Sequence, residues 1–221
     1  ASDDGSYTDT GSDKSVETVS YTANTTDYIV GLPYQDTTVD QSSTKVNETK
    51  IYYDTQSLGT VTDGNPTKIE QWKTGSTYIN TQNAYNTTYG IVTSSTDPRG
   101  KVTSYSYDSY YLYPASVTDA LSRVVSYTYD YSLGKPKQMT DQNSFVYQTT
   151  YDGLDRVVAE KIPDFSSPYS AVNKTTYTYT DTSGAVSVLK TDYLDGSVSA
   201  LTYQYFDGLK RLIQTRQEAE S

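Results

Sequence analysis

A period of 22 residues runs through the middle of the chain. Thr96-Asp97-Pro98-Arg99-Gly100-Lys101-Val102 is followed by Thr118-Asp119-Ala120-Leu121-Ser122-Arg123-Val124 and then by Thr140-Asp141-Gln142-Asn143-Ser144-Phe145-Val146, at 22-residue spacing. A second mark keeps the same phase: Tyr107-Asp108, Tyr129-Asp130 and Tyr151-Asp152. A short fixed period constrains a fold strongly, because each repeat must be one supersecondary unit that covers its neighbour.

The unit reads as a β-hairpin. Asp119 to Arg123 has turn chemistry, since an aspartate can accept backbone N–H groups two residues on. Val124 to Tyr129 alternates with period 2, with Val125, Tyr127 and Tyr129 on one face and Val124, Ser126 and Thr128 on the other. Asp130 ends that strand, and Pro136 to Thr140 is a shorter strand leading to the next turn. The expectation is an all-β chain: an antiparallel hairpin meander forming a curved strip or shell segment, with turns at 108–112, 119–123, 130–134 and 141–145.

Outside the regular stretch the same grammar is looser. We divide the chain into an acidic arm or edge (1–27), diverged β repeats (28–95), regular repeats (96–162) and further repeats with a longer insertion (163–221). Tyr52-Tyr53-Asp54 and Gly64 to Ile69 read as a diverged repeat, Pro163 to Ser170 as the insertion, and Thr191 to Gly196 as a turn. The two outermost strands expected are Tyr28–Tyr34 and Arg211–Thr215. The first should be the stickier, covered by residues 1–20 folding back or by a strand from a neighbouring molecule.

Composition fits this and excludes much else. There are 25 tyrosines against 3 Phe and 1 Trp, and 62 of the 221 residues are Ser or Thr. Thr, Tyr and Val suit pleated, half-buried surfaces. The absence of Cys and His excludes disulfides, thiolate or imidazole metal sites, and cysteine- or histidine-dependent catalysis. A net charge of −10 gives no footprint for a phosphate backbone. No apolar run is long enough to span a membrane as a helix.

Tyr-Asp-x-x-Gly-Arg units at this spacing resemble the Rhs, or YD-repeat, family. The resemblance rests on Tyr107-Asp108, Tyr129-Asp130, Tyr151-Asp152-Gly153-Leu154-Asp155-Arg156 and Phe206-Asp207-Gly208-Leu209-Lys210-Arg211, with the 97 and 119 turns as the other half-repeat, and covers roughly residues 50 to 215. It implies hairpin strips wound into a hollow shell. In bacterial toxin complexes and Rhs effectors that shell encloses a toxic polypeptide; in teneurins it belongs to an adhesion ectodomain. Such shells are several times longer than this chain, which matches neither the self-cleaving C-terminal core nor a following toxin domain. The chain also departs from the family's glycine at Ser122, Ser144 and Lys210. Either these positions take φ > 0 at a cost on the order of 1 kcal/mol, or the turns use another geometry.

Chemical readings of single motifs are weaker than their structural ones. Asp9-Thr10-Gly11-Ser12 has the look of an aspartic-protease loop, but its flank is polar and no second copy exists, so it reads as part of the acidic arm. Asp3, Asp4, Asp9 and Asp13 lack Ca²⁺-loop spacing. Recurrence of Asp108, Asp130 and Asp152 at strand ends favours turn capping over metal binding. The tyrosine column reads as cross-strand packing before a stacking platform. Asn24, Asn47, Asn86 and Asn173 head formal glycosylation sequons. No catalytic, cofactor or metal residue is assigned. The structural repeat residues are Tyr107, Asp108, Tyr129, Asp130, Tyr151, Asp152, Gly153, Arg156, Asp207, Gly208 and Arg211.

The expected function is a non-enzymatic wall segment of an Rhs-type shell, secreted or at a cell surface, toxin-associated and bacterial. Its partners would be the rest of a shell, or neighbouring copies joined by strand addition, and an enclosed polypeptide, without nucleic acid. The alternative is a binding or adhesion module recognising a glycan or protein through exposed tyrosines. A hydrolase resting on carboxylates alone comes third.

Overall fold

The structure, a computed structural model, describes residues 14–182, 185–195 and 198–218. These form sixteen strands and no helix. The chain divides into two compact units between Tyr105 and Ser106.

The first unit holds β1 (Ser15–Asn24), β2 (Ile29–Asp40), β3 (Lys45–Tyr53), β4 (Pro66–Thr74), β5 (Thr77–Asn86) and β6 (Ile91–Thr96). It also holds the start of β7 (Val102–Tyr107), the strand in which the division falls. From β1 to β7 each strand pairs antiparallel with the next in sequence. The second unit holds β8 (Pro114–Thr118), β9 (Val124–Asp130), β10 (Lys135–Thr140), β11 (Val146–Tyr151), β12 (Val157–Asp164), β13 (Ser167–Thr182), β14 (Ala185–Asp195), β15 (Val198–Phe206) and β16 (Leu212–Glu218). From β8 to β16 the pairing follows the same rule. The expected antiparallel meander is therefore present in both units, with connections as local as pairing allows.

Register follows the period-2 pattern. Met139 of β10 stands between Tyr127 of β9 and Tyr147 of β11. Few side chains are fully withdrawn from water. Among the described residues, the buried apolar ones are Tyr53 and Val61 in the first unit and Val146 in the second, with Pro163 the largest fully buried side chain. The period thus serves mutual half-burial of tyrosine, threonine and valine rather than one central core.

Two expectations change. The segment Tyr28–Tyr34 is not outermost: β1 pairs along β2 from Ser15 opposite Asp40 to Asn24 opposite Ile29, so the cover comes from the residues just upstream. Residues 1–13, with the Asp9 loop and the aspartates 3, 4, 9 and 13, lie outside the described residues, as do residues 196–197 of the turn after Asp195. Pro163–Ser170 is not an inserted loop either. β12 continues through Pro163 to Asp164, and two residues, Phe165 and Ser166, turn directly into β13. Proline is accommodated because a register shift falls between Pro163 and Asp164, the kind of site where a strand tolerates a missing N–H.

Candidate functional site

The site residues expected from the sequence gather at hairpin ends. Six turns share one construction, beginning at Asp40, Asp97, Asp119, Asp141, Asp152 and Asp207. In each, the aspartate N–H donates to the carbonyl four residues on, and its own carbonyl accepts the N–H three residues on. Its Oδ1 accepts two further N–H groups, two and four residues on; for Asp119 these come from Leu121 at 2.9 Å and Arg123 at 3.0 Å, and for Asp152 from Leu154 and Arg156. One carboxylate oxygen thereby organises the whole turn.

This geometry forces the fourth residue into the left-handed region. Ser43, Gly100, Ser122, Ser144, Asp155 and Lys210 have φ between 60° and 74°. The alternative left open at Ser122, Ser144 and Lys210 is thereby decided: these residues adopt the conformation for which glycine is suited. Gly153 and Gly208 sit one residue after their aspartates, outside the left-handed set, with open space where a Cβ would stand.

In three of these turns an arginine four residues on closes the carboxylate from its other side. Arg123 Nε lies 2.7 Å from Asp119 Oδ2, Arg156 Nε 2.8 Å from Asp152 Oδ2, and Arg211 Nε 2.7 Å from Asp207 Oδ2. The Arg123 side chain and backbone hold the Asp119 carboxyl below its ordinary range. The backbone N–H of Arg156 and of Arg211 comes first for Asp152 and Asp207, which are lowered too. A general acid or base working near neutrality needs the opposite displacement.

Asp130 and Asp108 belong to variants. Asp130 pairs with Lys135 across a longer turn in which Gly134 is left-handed, and its Oδ1 accepts the Ser132 N–H and Oγ–H. Asn24 and Asn86 use the same wider turn: Asn86 Oδ1 accepts the N–H groups of Thr88 and Tyr89, and Gly90 is left-handed. The Asp108 loop is one residue longer than the six, closing from the Asp108 N–H to the Tyr113 carbonyl with Tyr111 left-handed at φ 57°.

Asp54 anchors a larger excursion. Its Oδ2 accepts N–H groups from Thr62, Asp63 and Gly64, each at 2.9 Å, and its Oδ1 that of Asn65 at 2.8 Å. Burial pushes this carboxyl up, but the four N–H groups outweigh it and leave it below its ordinary value. The sequence showed a diverged repeat here; the long loop held by one side chain was not visible.

The tyrosines before the turns have a second role that sequence reasoning missed. Their hydroxyls donate to a carbonyl on the preceding strand: Tyr53 to Pro33 at 2.8 Å, Tyr85 to Pro66 at 3.2 Å, Tyr129 to Pro114 at 3.0 Å, Tyr151 to Pro136 at 3.2 Å and Tyr179 to Val157 at 2.8 Å. Pro114 and Pro136 are themselves 22 residues apart, a signal that was present in the sequence. In three of these clasps the residue before the accepting carbonyl lies over the tyrosine ring. Lys135 Nζ is 5.1 Å above Tyr151, Arg156 Cζ 4.0 Å above Tyr179, and Tyr113 stacks on Tyr129 at 4.6 Å. Tyr107, which ends β7, carries interactions of its own.

A further cluster lies on β2–β5. Glu48, 5 % exposed, accepts from Gln35, Thr37, Lys45 and Tyr78, and Lys50 Nζ stands 3.3 Å away. Burial pushes the Glu48 carboxyl up, but hydrogen bonds from Tyr78, Lys45 and Lys50 outweigh it and hold its pKa at about 2. Nothing in the repeat phase pointed to it.

No protein-family model matches the chain, and no curated protein matches it. Solved structures do. The crystal structure of TcdB2-TccC3 superposes with a TM-score of 0.68 at 16% identity, covering 92% of this chain and 15% of that one. The crystal structure of TcdB2-TccC3-TEV matches at 11% identity and a TM-score of 0.47, covering 92% and 14%. The chain thus spans about a seventh of those chains. The first likeness is one of fold: this strand array is an architecture that the TcdB2-TccC3 structure contains.

Proposed function

We propose that this chain is a non-catalytic wall segment of an Rhs-type shell, acting by enclosure and β-scaffolding of a polypeptide cargo outside the cell. The observation that carries the reading is the strand-by-strand meander with its repeated aspartate turns, together with its likeness in fold to part of TcdB2-TccC3. The chemistry supports it. Each repeat carboxylate is occupied by its own turn, and those of Asp108, Asp119, Asp130, Asp152 and Asp207 are held below their ordinary range, a state that suits capping and not proton transfer. Each clasping tyrosine uses its hydroxyl to fasten one strand to its neighbour. The sheet grows by adding hairpins, so its natural partners are further hairpins of the same kind.

The test is the product of the complete gene, purified and examined by electron microscopy and limited proteolysis. The expected result is a closed particle that shields an internal polypeptide from protease. An open, extended product with every segment cleaved at similar rates would overturn the reading. A binding module remains the second reading because Tyr127, Met139, Tyr147 and Tyr151 line a shallow hollow on one sheet face. Saturable, specific binding on a glycan array, lost in Tyr147→Ala, would favour it.

A further inference from the structure

The Tyr113 slot breaks a rule that its neighbours keep. In the two clasps that follow, the residue over the tyrosine ring is a cation, and that cation is also neutralised by an aspartate. Lys135 pairs with Asp155 at 2.7 Å, and Arg156 with Asp152 at 2.7 Å and Asp181 at 2.8 Å. Over Tyr129 the slot holds Tyr113 instead, and the aromatic surface continues outward. Tyr131 tilts against Tyr113 at 6.1 Å, and Tyr110 meets Tyr131 edge to face at 5.5 Å and 76°. Tyr110 is 67% exposed and Tyr131 50%.

The carboxylate at this place is Asp108. Its partners are backbone N–H groups of Tyr110, Leu112 and Tyr113 and the Tyr131 hydroxyl at 3.1 Å; among the described residues no ammonium or guanidinium pairs with it. Asp130 closes the adjacent turn. Two exposed rings set at a steep angle beside an ionised carboxylate form two walls and the counter-charge of a cation seat. Elsewhere the protein fills such seats itself: Lys68 lies 3.7 Å over Tyr52, and Lys50 4.4 Å over Tyr78.

We propose that the Tyr110–Tyr131 corner binds an organic cation from outside, the ammonium or guanidinium of a lysine or arginine on a basic partner polypeptide. The local carboxylates and the net charge of −10 favour such a partner and repel acidic ones. The corner acts in the same way in a shell wall and in a free-standing module, so its fate is separate from that of the shell reading.

The experiment is aromatic-carbon NMR on the whole chain with labelled tyrosine, the two resonances assigned through Tyr110→Phe and Tyr131→Phe. Tetramethylammonium chloride is the minimal probe, sodium chloride at equal ionic strength the reference, and a lysine/arginine-rich peptide the second probe. Saturable shifts at Tyr110 and Tyr131 with both probes and not with sodium are expected, with the peptide binding more tightly. Tyr131→Phe keeps the ring and should bind as the parent does. Tyr110→Leu and Tyr131→Leu should weaken binding about two- to fivefold. Both positions are exposed, so the variants fold. Shifts no larger than those with sodium, or leucine variants that bind unchanged, would overturn the site. Tetramethylammonium binding without peptide binding would overturn the polypeptide partner.

Discussion

Replacing Asp54 should show how much one side chain contributes to a unit with almost no core. The carboxylate accepts four backbone N–H groups from residues 62–65. Those of Thr62 and Asp63 are exposed and can turn to water, whereas those of Gly64 and Asn65 are part-buried. A hydrogen bond to a charged group is worth about 1.5–3 kcal/mol, and an unsatisfied part-buried donor costs about as much. Counting only the two part-buried donors, and discounting for water that reaches them, Asp54→Ala should destabilise the first unit by about 2–4 kcal/mol. Asp54→Asn should recover only part of this. Its amide offers one oxygen where two are used, and its NH₂ must face N–H donors. Asp97→Asn is the control within the same unit: only Oδ1 accepts there, from Arg99 and Lys101, and an asparagine retains it, so the change should stay within about 0.5 kcal/mol. The assay is urea unfolding followed by the fluorescence of Trp72, the single tryptophan, which lies on β4 in the affected unit. An Asp54→Ala midpoint indistinguishable from the parent's would refute the claim that this carboxylate organises the loop.

Lowering the pH should destabilise the first unit in a defined window. Glu48 has its pKa depressed from 4.5 to about 2, so its contribution is complete above the unfolded value and is lost as pH falls from about 4.5 towards 2; this can reach on the order of 3 kcal/mol. Trp72-monitored melts across that range should show it, and Glu48→Gln should flatten the profile while lowering stability at neutral pH. Tyr129→Phe deletes only the hydroxyl bonded to Pro114 and should cost about 1 kcal/mol in urea unfolding of the second unit followed by circular dichroism, and Tyr129→Ala clearly more. Gly134→Ala should destabilise by at least about 1 kcal/mol, since φ is +66° and a Cβ would meet the Tyr113 hydroxyl at 2.9 Å, whereas Gly153→Ala should be neutral or slightly stabilising by the same measurement.

The strands of the regular stretch and its aspartate turns were legible because their determinants are local, whereas the same turn at Asp40 was not read. An aspartate that caps N–H groups two and four residues on needs no distant partner, so its spacing alone announces it, as at Asp97, Asp119 and Asp141. Period-2 alternation announced β9 in the same way. What the sequence hid depends on side chains meeting across strands. Glu48 of β3 is satisfied by Gln35 of β2 and Tyr78 of β5, and the Tyr179 hydroxyl by the Val157 carbonyl of the preceding strand, and neither turn chemistry nor the alternation within one strand points to these bonds. The insertion expected at Pro163 failed for a related reason. Proline and serine punctuate loops in general, but here register across β12 and β13 overrode that preference and made the prolines part of a hairpin.

A meander of this kind stores its stability hairpin by hairpin. With few buried apolar side chains, the strands are held by their ladders, many also by a carboxylate that closes a turn and five by a tyrosine that reaches back across the pair. Contacts between successive strands dominate, and interactions that skip a strand are few. Such a system behaves as a one-dimensional array, in which damage stays near its origin and length can change without redesign. The left-handed serines fit this picture. Ser122 and Ser144 carry a strain that glycine at 100 avoids, and each turn bears it alone because its own aspartate fixes the geometry. In the proposed role of a wall segment, the chain would need this property more than a deep core. It must extend and present continuous backbone hydrogen bonding, and it must leave its faces to tyrosines that can meet water on one occasion and a partner on another.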